Sequence, residues 1–500
     1  MYRNFSIKRA SVALAAAAVG AFVLTNSLQA IEQIQGPTEF RYWDKAKAYN
    51  GYTFFGAFGT AYLIDMEGKV VHTWPAGQNP KLLPDGHVLS SGKDQKSNLP
   101  RIQEVDWDGK VVWEYLEKRP DYSPHHDVIR IFNKKLNAPT TVFIANKSVT
   151  QEQAIAAGVD PKNGPYAGSQ IDTLVEVDMK GNIVWEWGFF NHGIQDIDAT
   201  KANYVGAGKT IADYPGRLDL NLPGRPLRKD WLHCNSLEYN PDLDHLVTSS
   251  VQGEIYVIDH GGTFVAGDPA ASVAKAAGPG GDFIYRFGDP VRYKQGEAPR
   301  LLENYDRVST GTRQLGGVHN AQWIAPGLPG AGHLMFFNNA QYLHQLTPGS
   351  EILEVNPYLD ASGRDTGKYV NPPEAGYAEE TYHPDTHNIP RKVSKQVVWK
   401  YRSQSNKGFF SQIGSSGQRL PNGNTLICSD TEGHIFEVTA DGKLVWEYIS
   451  PVTAKGVYKV KPDELPMINQ VFRAYRYGPD FAAFKGRKLT PQGLITDLPR

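Results

Sequence analysis

Hydrophobic and polar positions alternate over short runs from about residue 40 onward, and helical periodicity is nearly absent. Three of these runs are near-copies: EVDWDGKVVWEY (Glu104 to Tyr115), EVDMKGNIVWEW (Glu176 to Trp187) and EVTADGKLVWEY (Glu437 to Tyr448). Each predicts a β-hairpin. An alternating Glu-Val-Asp or Glu-Val-Thr start leads to a turn with Gly109, Gly181 or Gly442 where positive φ is tolerated, and a β-branched run then ends in Trp113, Trp185 or Trp446. Weaker copies fill the gaps. LIDMEGKVVHTW (Leu63 to Trp74) has His72 in the Trp slot, YVIDHGG (Tyr256 to Gly262) is followed by FIYRFG (Phe283 to Gly288), and ILEVNP (Ile352 to Pro357) by QVVWKY (Gln396 to Tyr401).

Six related sheets predict an all-β chain closed as a six-bladed β-propeller, because radial repetition leaves only short, protected strand edges. The segments between the hairpins should supply the inner strands. They are KLLPDGHVLSSG, the run from His125 to Lys147, HCNSLEYNPDLDHLVTSS from His233, HNAQWIAPGLPGAGHLMFFNNA from His319, and SSGQRLPNGNTLICSD from Ser415. The remaining opener is expected at Tyr52 to Leu63. Long Gly/Pro-rich inserts at 148–172, 188–230, 263–315 and 358–394 are expected to cap one mouth of the channel.

The domain plan is a signal peptide over 1–30, an N-terminal extension over 31–50, the propeller over 51–450, and a C-terminal extension over 451–500 packed on it. Arg3, Lys8 and Arg9 precede an apolar stretch from Val12 to Leu24 and then Ser27-Leu28-Gln29-Ala30, the pattern of a secretory signal cleaved after Ala30. The mature protein is expected to be periplasmic or secreted, and no later segment reaches the ~18 apolar residues of a membrane span. A formal charge of −1, with acids and bases interspersed, gives no footprint for nucleic acid or an anionic membrane. The expected partner is a small-molecule substrate, with a homo-oligomer left open. Cys234 and Cys428 could bridge in an oxidising compartment and tie blade four to blade six, but they lie on inner strands of non-adjacent blades, where the Cα separation of a disulfide is hard to reach, so the reading as free thiols stands ahead of it.

Histidine placement carries the chemistry. His125 or His126, His233 and His319 stand at inner-strand starts in three consecutive blades, and equivalent starts in a ring converge on its axis. His383 and His387, in a long insert flanked by prolines, are candidate cap residues.

Several passages resemble the bacterial arylsulfotransferases, six-bladed propellers of the periplasm. They are DWLHCNSLEYNPDLDHLVTSSVQGEIYVIDH (Asp230 to His260), GGVHNAQWI with LMFFNNA (Gly316 to Ala340), RLPNGNTLICSDTEGHIFEVTADGKLVWEY (Arg419 to Tyr448) and VFRAYRYGPDF (Val471 to Phe481). The resemblance spans roughly residues 50 to 481. It implies transfer of a sulfuryl group between phenols through a transiently sulfated histidine, with further histidines and an arginine neutralising the sulfuryl oxygens. His233 and His319 match the family's supporting histidines. The chain departs from the pattern after blade five, where NNAQYLHQLTP has Gln341, His344 and Gln345 but no arginine. It departs again at SQIGSSGQRLP, which offers Ser415, Ser416 and Arg419 where the nucleophilic histidine is expected, and a close cysteine pair is missing.

On this reading His319 is the nucleophile, assisted by His233 and His126. Arg130, Arg313, Asn235, Asn320, Ser415 and Arg419 are the substrate-binding candidates. Two other readings stand beside it: His126, His233 and His319 as ligands of a Cu or Zn ion, with Asp127 behind His126, or a non-catalytic propeller that binds a ligand or assembly partner.

Overall fold

The computed structural model describes residues 37–163, 169–222, 230–301, 308–309, 311–340, 349–381, 390–402, 410–459 and 469–498. The expected signal peptide and the residues His344, His383 and His387 lie outside them. No helix among the described residues is long and apolar enough to cross a membrane.

Six antiparallel sheets form the blades of a propeller, and each runs outward from an inner strand. Blades two to six begin with Gln78–Leu82, Tyr122–Asn133, Cys234–Asn240, Val318–Trp323 and Ser416–Arg419, at the openers the sequence marks. Blade one differs. Its innermost strand is Ala474–Tyr477, paired with Tyr52–Ala57, so the expected opener is the second strand. The C-terminal segment is therefore an integral part of the ring as well as an extension. The N-terminal strand Glu39–Trp43 pairs with Leu444–Ile449 as a fifth, outer strand of blade six. The first and last of the described strands thus bracket the junction between blades six and one.

The inserts do not all behave as loops. Residues 148–149 and 169–172 extend two long strands, Ala138–Val149 and Ser169–Asp178, around the helix Gln151–Ala157. Insert residues Ile194, Val205, Ile211 and Tyr293 make a small apolar cluster of their own.

The repeat has a physical meaning at the blade junctions. Gly109, Gly181 and Gly442 all take φ between 81° and 84°, as the turn requires. The repeat tryptophan then reaches into the turn of the next blade. Trp113 donates its indole N–H to the Met179 carbonyl at 3.0 Å, Trp399 to Ala440 at 2.9 Å, and Trp446 to Met66 at 2.9 Å. His72, in the Trp slot of blade one, does the same through Nε2 to the Trp107 carbonyl at 2.8 Å, and stacks on that indole. The repeat glutamate of the same blade takes a cation from the next. Arg130 pairs with Glu104 over Trp113, Arg419 with Glu354 over Trp399, and Arg476 with Glu437 over Trp446. In the junction from blade three to four His260 takes this part, between Glu176 and Asp244. Apolar clusters lie between neighbouring blades in the same way: Met335, Phe337 and Ile352 of blade five pack with Ile427 and Phe436 of blade six. Cys234 and Cys428 are both buried and unbridged.

Candidate functional site

The inner strands are bulged where they reach the axis. Against their partners, blades two, four and five carry one extra residue, while blade three carries two between Pro124 and Val128. That second residue is why blade three presents two histidines, His125 and His126. Asn79, His126, His233, Asn320 and Ser415, one from each of blades two to six, have φ between 48° and 86°. Such conformations cost a non-glycine side chain on the order of 1–3 kcal/mol and persist where the surroundings enforce them.

His126 and His233 meet directly, Nε2 to Nε2 at 2.7 Å with ring centres 4.6 Å apart. Asp230 holds Nδ1 of His233 at 2.5 Å and raises that imidazole against the effect of burial. Burial drives His126 the other way, to about 2, helped by the neighbouring His125, His233 and His319. One hydrogen lies between the two Nε2 atoms, and His233 is the ring of the pair whose positive form Asp230 favours. His125 completes a group of three rings, 5.1 Å from His126 and 6.1 Å from His233.

Phe472 separates this group from His319. The His126 ring lies parallel to Phe472 and the His319 ring stands edge-on to it, each with centres 5.8 Å apart. His319 is 3 % exposed, and burial lowers it to about 3, so it is neutral. Its Nδ1 bonds to Asn339 Oδ1 at 2.6 Å. The amide of Asn339 cannot be turned round, because its Nδ2 donates to the carbonyls of Ser411 and Gly414. Nδ1 of His319 consequently carries the hydrogen and Nε2 the lone pair.

Beneath Phe472 the channel is filled. Arg473 donates Nη1 to Asp127 Oδ2 and Nη2 to the Asn235 carbonyl, both at 2.6 Å. Lys81 reaches the other Asp127 oxygen at 3.2 Å. Burial alone would raise the Asp127 carboxyl, and the two cations outweigh it and hold it below the usual range. A cavity of about 10 Å³ remains beside Asn79, Lys81, Phe472, Arg473 and Tyr475, enough for one water and no aryl group.

The structure thus brings His126 and His233 into contact and sets His319 beyond Phe472. Among the described residues, one group of three metal-ligating side chains has its donor atoms within 4.8 Å of one another, and it is Asp85, His87 and Glu104 rather than the three histidines. Asp127, expected behind His126, serves Arg473 and Lys81 instead. Several substrate-binding candidates have structural partners. Arg130 and Arg419 are held in the Glu and Trp clamps between blades. Asn235 ties blade four to the Val318 carbonyl, and Asn320 bonds to the Tyr475 hydroxyl. Ser415 Oγ accepts from the Asp430 amide at 2.9 Å and donates to the Ile413 carbonyl, so it closes a turn. Arg313 bonds through Nε to the Leu315 carbonyl. The residues that sequence reasoning missed are Asp230, Asn339, Phe472 and Arg473. VFRAYRYGPDF held a signal for the last two, since its alternation marks a strand and the openers of blades two to six leave one inner strand unassigned.

A sequence profile for the family described as Arylsulfotransferase (ASST) matches residues 49–460. A search of curated proteins found no match. Among solved structures, a protein of unknown function from Bacteroides caccae is 10% identical with a TM-score of 0.38, over 85% of this chain and 98% of that one. The Myceliophteria thermophila Cps50 (Swd1) beta-propeller domain is 11% identical with a TM-score of 0.33, over 84% and 88%. Virginiamycin B lyase from Staphylococcus aureus is 11% identical with a TM-score of 0.30, over 84% and 86%. Nothing about activity follows from these likenesses.

Proposed function

The chain belongs to the arylsulfotransferase family, and from that premise we propose that it transfers a sulfuryl group from an aryl sulfate to a phenol with His319 as the nucleophile. One observation carries this reading: Asn339 pins the hydrogen of His319 on Nδ1, leaving Nε2 an unprotonated lone pair. Burial keeps the ring neutral far below physiological pH, so no prior deprotonation is needed.

In the first half-reaction Nε2 attacks sulfur, the bond from sulfur to the aryl oxygen breaks, and its electron pair leaves with the phenolate. In the second the acceptor phenol attacks the sulfated imidazole and frees Nε2. Protons balance over the cycle, since the acceptor loses the one that the departing phenolate gains. The sulfuryl group is anionic throughout, and positive charge fixed in a pocket shielded from water stabilises its transfer. We assign part of that charge to His233, whose positive form Asp230 favours and in part offsets, and which faces His126 across Phe472 from His319. Arg473 contributes little net charge because Asp127 offsets it.

Ser415 at the blade-six opener fills space in this scheme and takes no part in bond making. The N-terminal pattern from Arg3 to Ala30 supports action in the periplasm or outside the cell, on small phenolic substrates. Turnover of a chromogenic aryl sulfate with a phenol acceptor tests the proposal. Transfer should occur with the wild-type protein and fall to background in His319→Ala. Transfer that survives in His319→Ala, or a folded wild-type protein inert towards a panel of aryl sulfates, contradicts it.

A further inference from the structure

The outer strands of the six blades do not end alike. That of blade six, Leu444–Ile449, is covered by the N-terminal strand Glu39–Trp43. That of blade one is closed at Val70, which exchanges backbone bonds of 2.8 Å with Gln492 and Gly493. In blade three the helix Pro269–Ala276 packs on the outer strand Ile183–Gly188, and in blade four the outer strand Tyr285–Phe287 is buried. Blades two and five are open: Val111 and Val112 are 44% and 47% exposed, and Val398 is 45% exposed. An uncovered edge offers a row of unpaired N–H and C=O groups to another strand.

The open edge of blade two is a copy of the one that is filled in blade six. Val111–Leu116 reads VVWEYL and Leu444–Ile449 reads LVWEYI. Their surroundings repeat too. Trp113 reaches the Met179 carbonyl as Trp446 reaches that of Met66, and Tyr115 lies against Gly181 as Tyr448 lies against Gly68. The Glu117 amide bonds to the Pro100 carbonyl as the Ser450 amide bonds to that of Gly433, so the two strands share one phase. Backbone groups of Trp113, Tyr115 and Glu117 therefore face the blade, and those of Glu114 and Leu116 face out. In blade six the outward positions are taken: the Asp44 amide donates to the Val445 carbonyl at 2.8 Å, and Arg41 pairs with Glu447 at 3.2 Å. Val112 and Glu114 stand at those positions in blade two. Glu114 is exposed, and its carboxylate has no partner among the described residues. Blade five differs here, with Lys400 in place of the glutamate and already paired to Glu380.

We propose that the outer strand of blade two binds an extended segment of a partner protein by strand addition, as blade six holds Glu39–Trp43. The segment it fits has the chemistry of that strand. An arginine between aromatic residues meets Glu114, and acidic ends, as Glu39 and Asp44 provide in blade six, lie beside Lys110 and Lys118. A second copy of this chain is the poorer occupant. It could offer Glu39–Trp43 only by uncovering its own blade six, and an antiparallel pairing of two such edges that joins all their outward groups would set Glu114 against Glu114.

The test is fluorescence anisotropy of a labelled peptide with the sequence of residues 38–45, titrated with the full-length protein. Saturable binding of one peptide per chain is expected. Glu114→Lys should weaken it by about tenfold or more and leave sulfuryl transfer unchanged. A peptide with glutamate in place of its arginine should bind the wild-type protein as poorly, and should bind Glu114→Lys more tightly than wild type. Glu114→Pro removes an outward N–H without breaking the ladder to the next strand, and should abolish binding as well. Three results overturn the proposal. They are no binding to the folded wild-type protein, equal binding to Glu114→Lys, which would mark exchange at blade six, and a wild-type dimer that Glu114→Lys makes monomeric, which would give the edge to a second copy.

Discussion

Trp446 of blade six donates its indole N–H to the carbonyl of Met66 in blade one, 2.9 Å across the junction that the first and last described strands bracket. Arg476, on the innermost strand of blade one, lies 4.3 Å from the centre of the same indole and pairs with Glu437. Equivalent bonds and pairs recur around the ring. The repeat is therefore a device for joining neighbours, and residues that read as site candidates by type belong to it.

Trp446→Phe keeps the ring and removes the donor, leaving the buried Met66 carbonyl unpaired. A loss of about 1–3 kcal/mol is expected, read as a lower denaturant midpoint. Arg130→Ala and Arg419→Ala should each cost about 1.5–3 kcal/mol, because each leaves a buried glutamate with only its histidine partner, His87 or His333. Activity per folded molecule should be unchanged in both, and a raised KM for aryl sulfate would return either arginine to the site.

The junction between blades three and four should be sensitive to alkali. Burial alone would lower the His260 imidazole, and the Asp244 and Glu176 carboxylates outweigh it, raising it to about 9. A group raised on folding contributes stability that is complete below its unfolded value near 6.5 and is lost as pH rises through its folded one. The wild-type protein should lose stability between about pH 6.5 and 9 relative to His260→Gln, measured as the difference in Tm at a series of pH values. Parallel curves across that window would show that His260 is not charged.

Asp430 should show the opposite side of the same physics. Burial, with Glu432 nearby, raises its carboxyl to about 7, and its Oδ1 makes no hydrogen bond among the described residues. Its proton is held in the folded state and surrendered in the unfolded one, so stability falls as pH rises from about 4 to 7. Asp430→Asn should raise Tm at pH 8 and have little effect near pH 4. A destabilised variant at pH 8 would contradict this.

Asn339 acts through His319. Asn339→Ala frees the tautomer and should lower kcat on the order of a hundredfold, with a smaller effect on KM. Asn339→Asp restores an acceptor and places a carboxylate against Nδ1, which raises the imidazole. The acid limb of the kcat profile should then move to higher pH, a shift that a purely structural role for Asn339 would not produce.

Much of the fold is written locally. The Gly-to-Trp spacing marks the outer hairpins of blades two, three and six, with His72 in the Trp slot of blade one, and the openers of blades two to six begin where the alternation places them. Blade one escaped because its inner strand, Ala474–Tyr477, meets Tyr52–Ala57 only when the ring closes, and nothing near residue 52 records that pairing. The histidines were legible from their place in the repeat. Their partners were not, since Asn339 lies just past the strand Leu334–Asn338 and Asp230 ahead of the strand Cys234–Asn240, where alternation gives no side-chain direction. Arg130 shows the same limit: four residues from His126 in sequence, it points into a different blade junction.

The central claim is that His319 carries the sulfuryl group. Brief mixing with an aryl sulfate in the absence of acceptor, an alkaline quench that preserves N-sulfated imidazole, and peptide mass spectrometry test it most directly. One sulfuryl group on the peptide that contains His319, absent from His319→Ala and removed by adding a phenol, is the expected result. A sulfuryl group on the peptide that contains Ser415, or on His126 or His233 with His319 unmodified, would contradict the account.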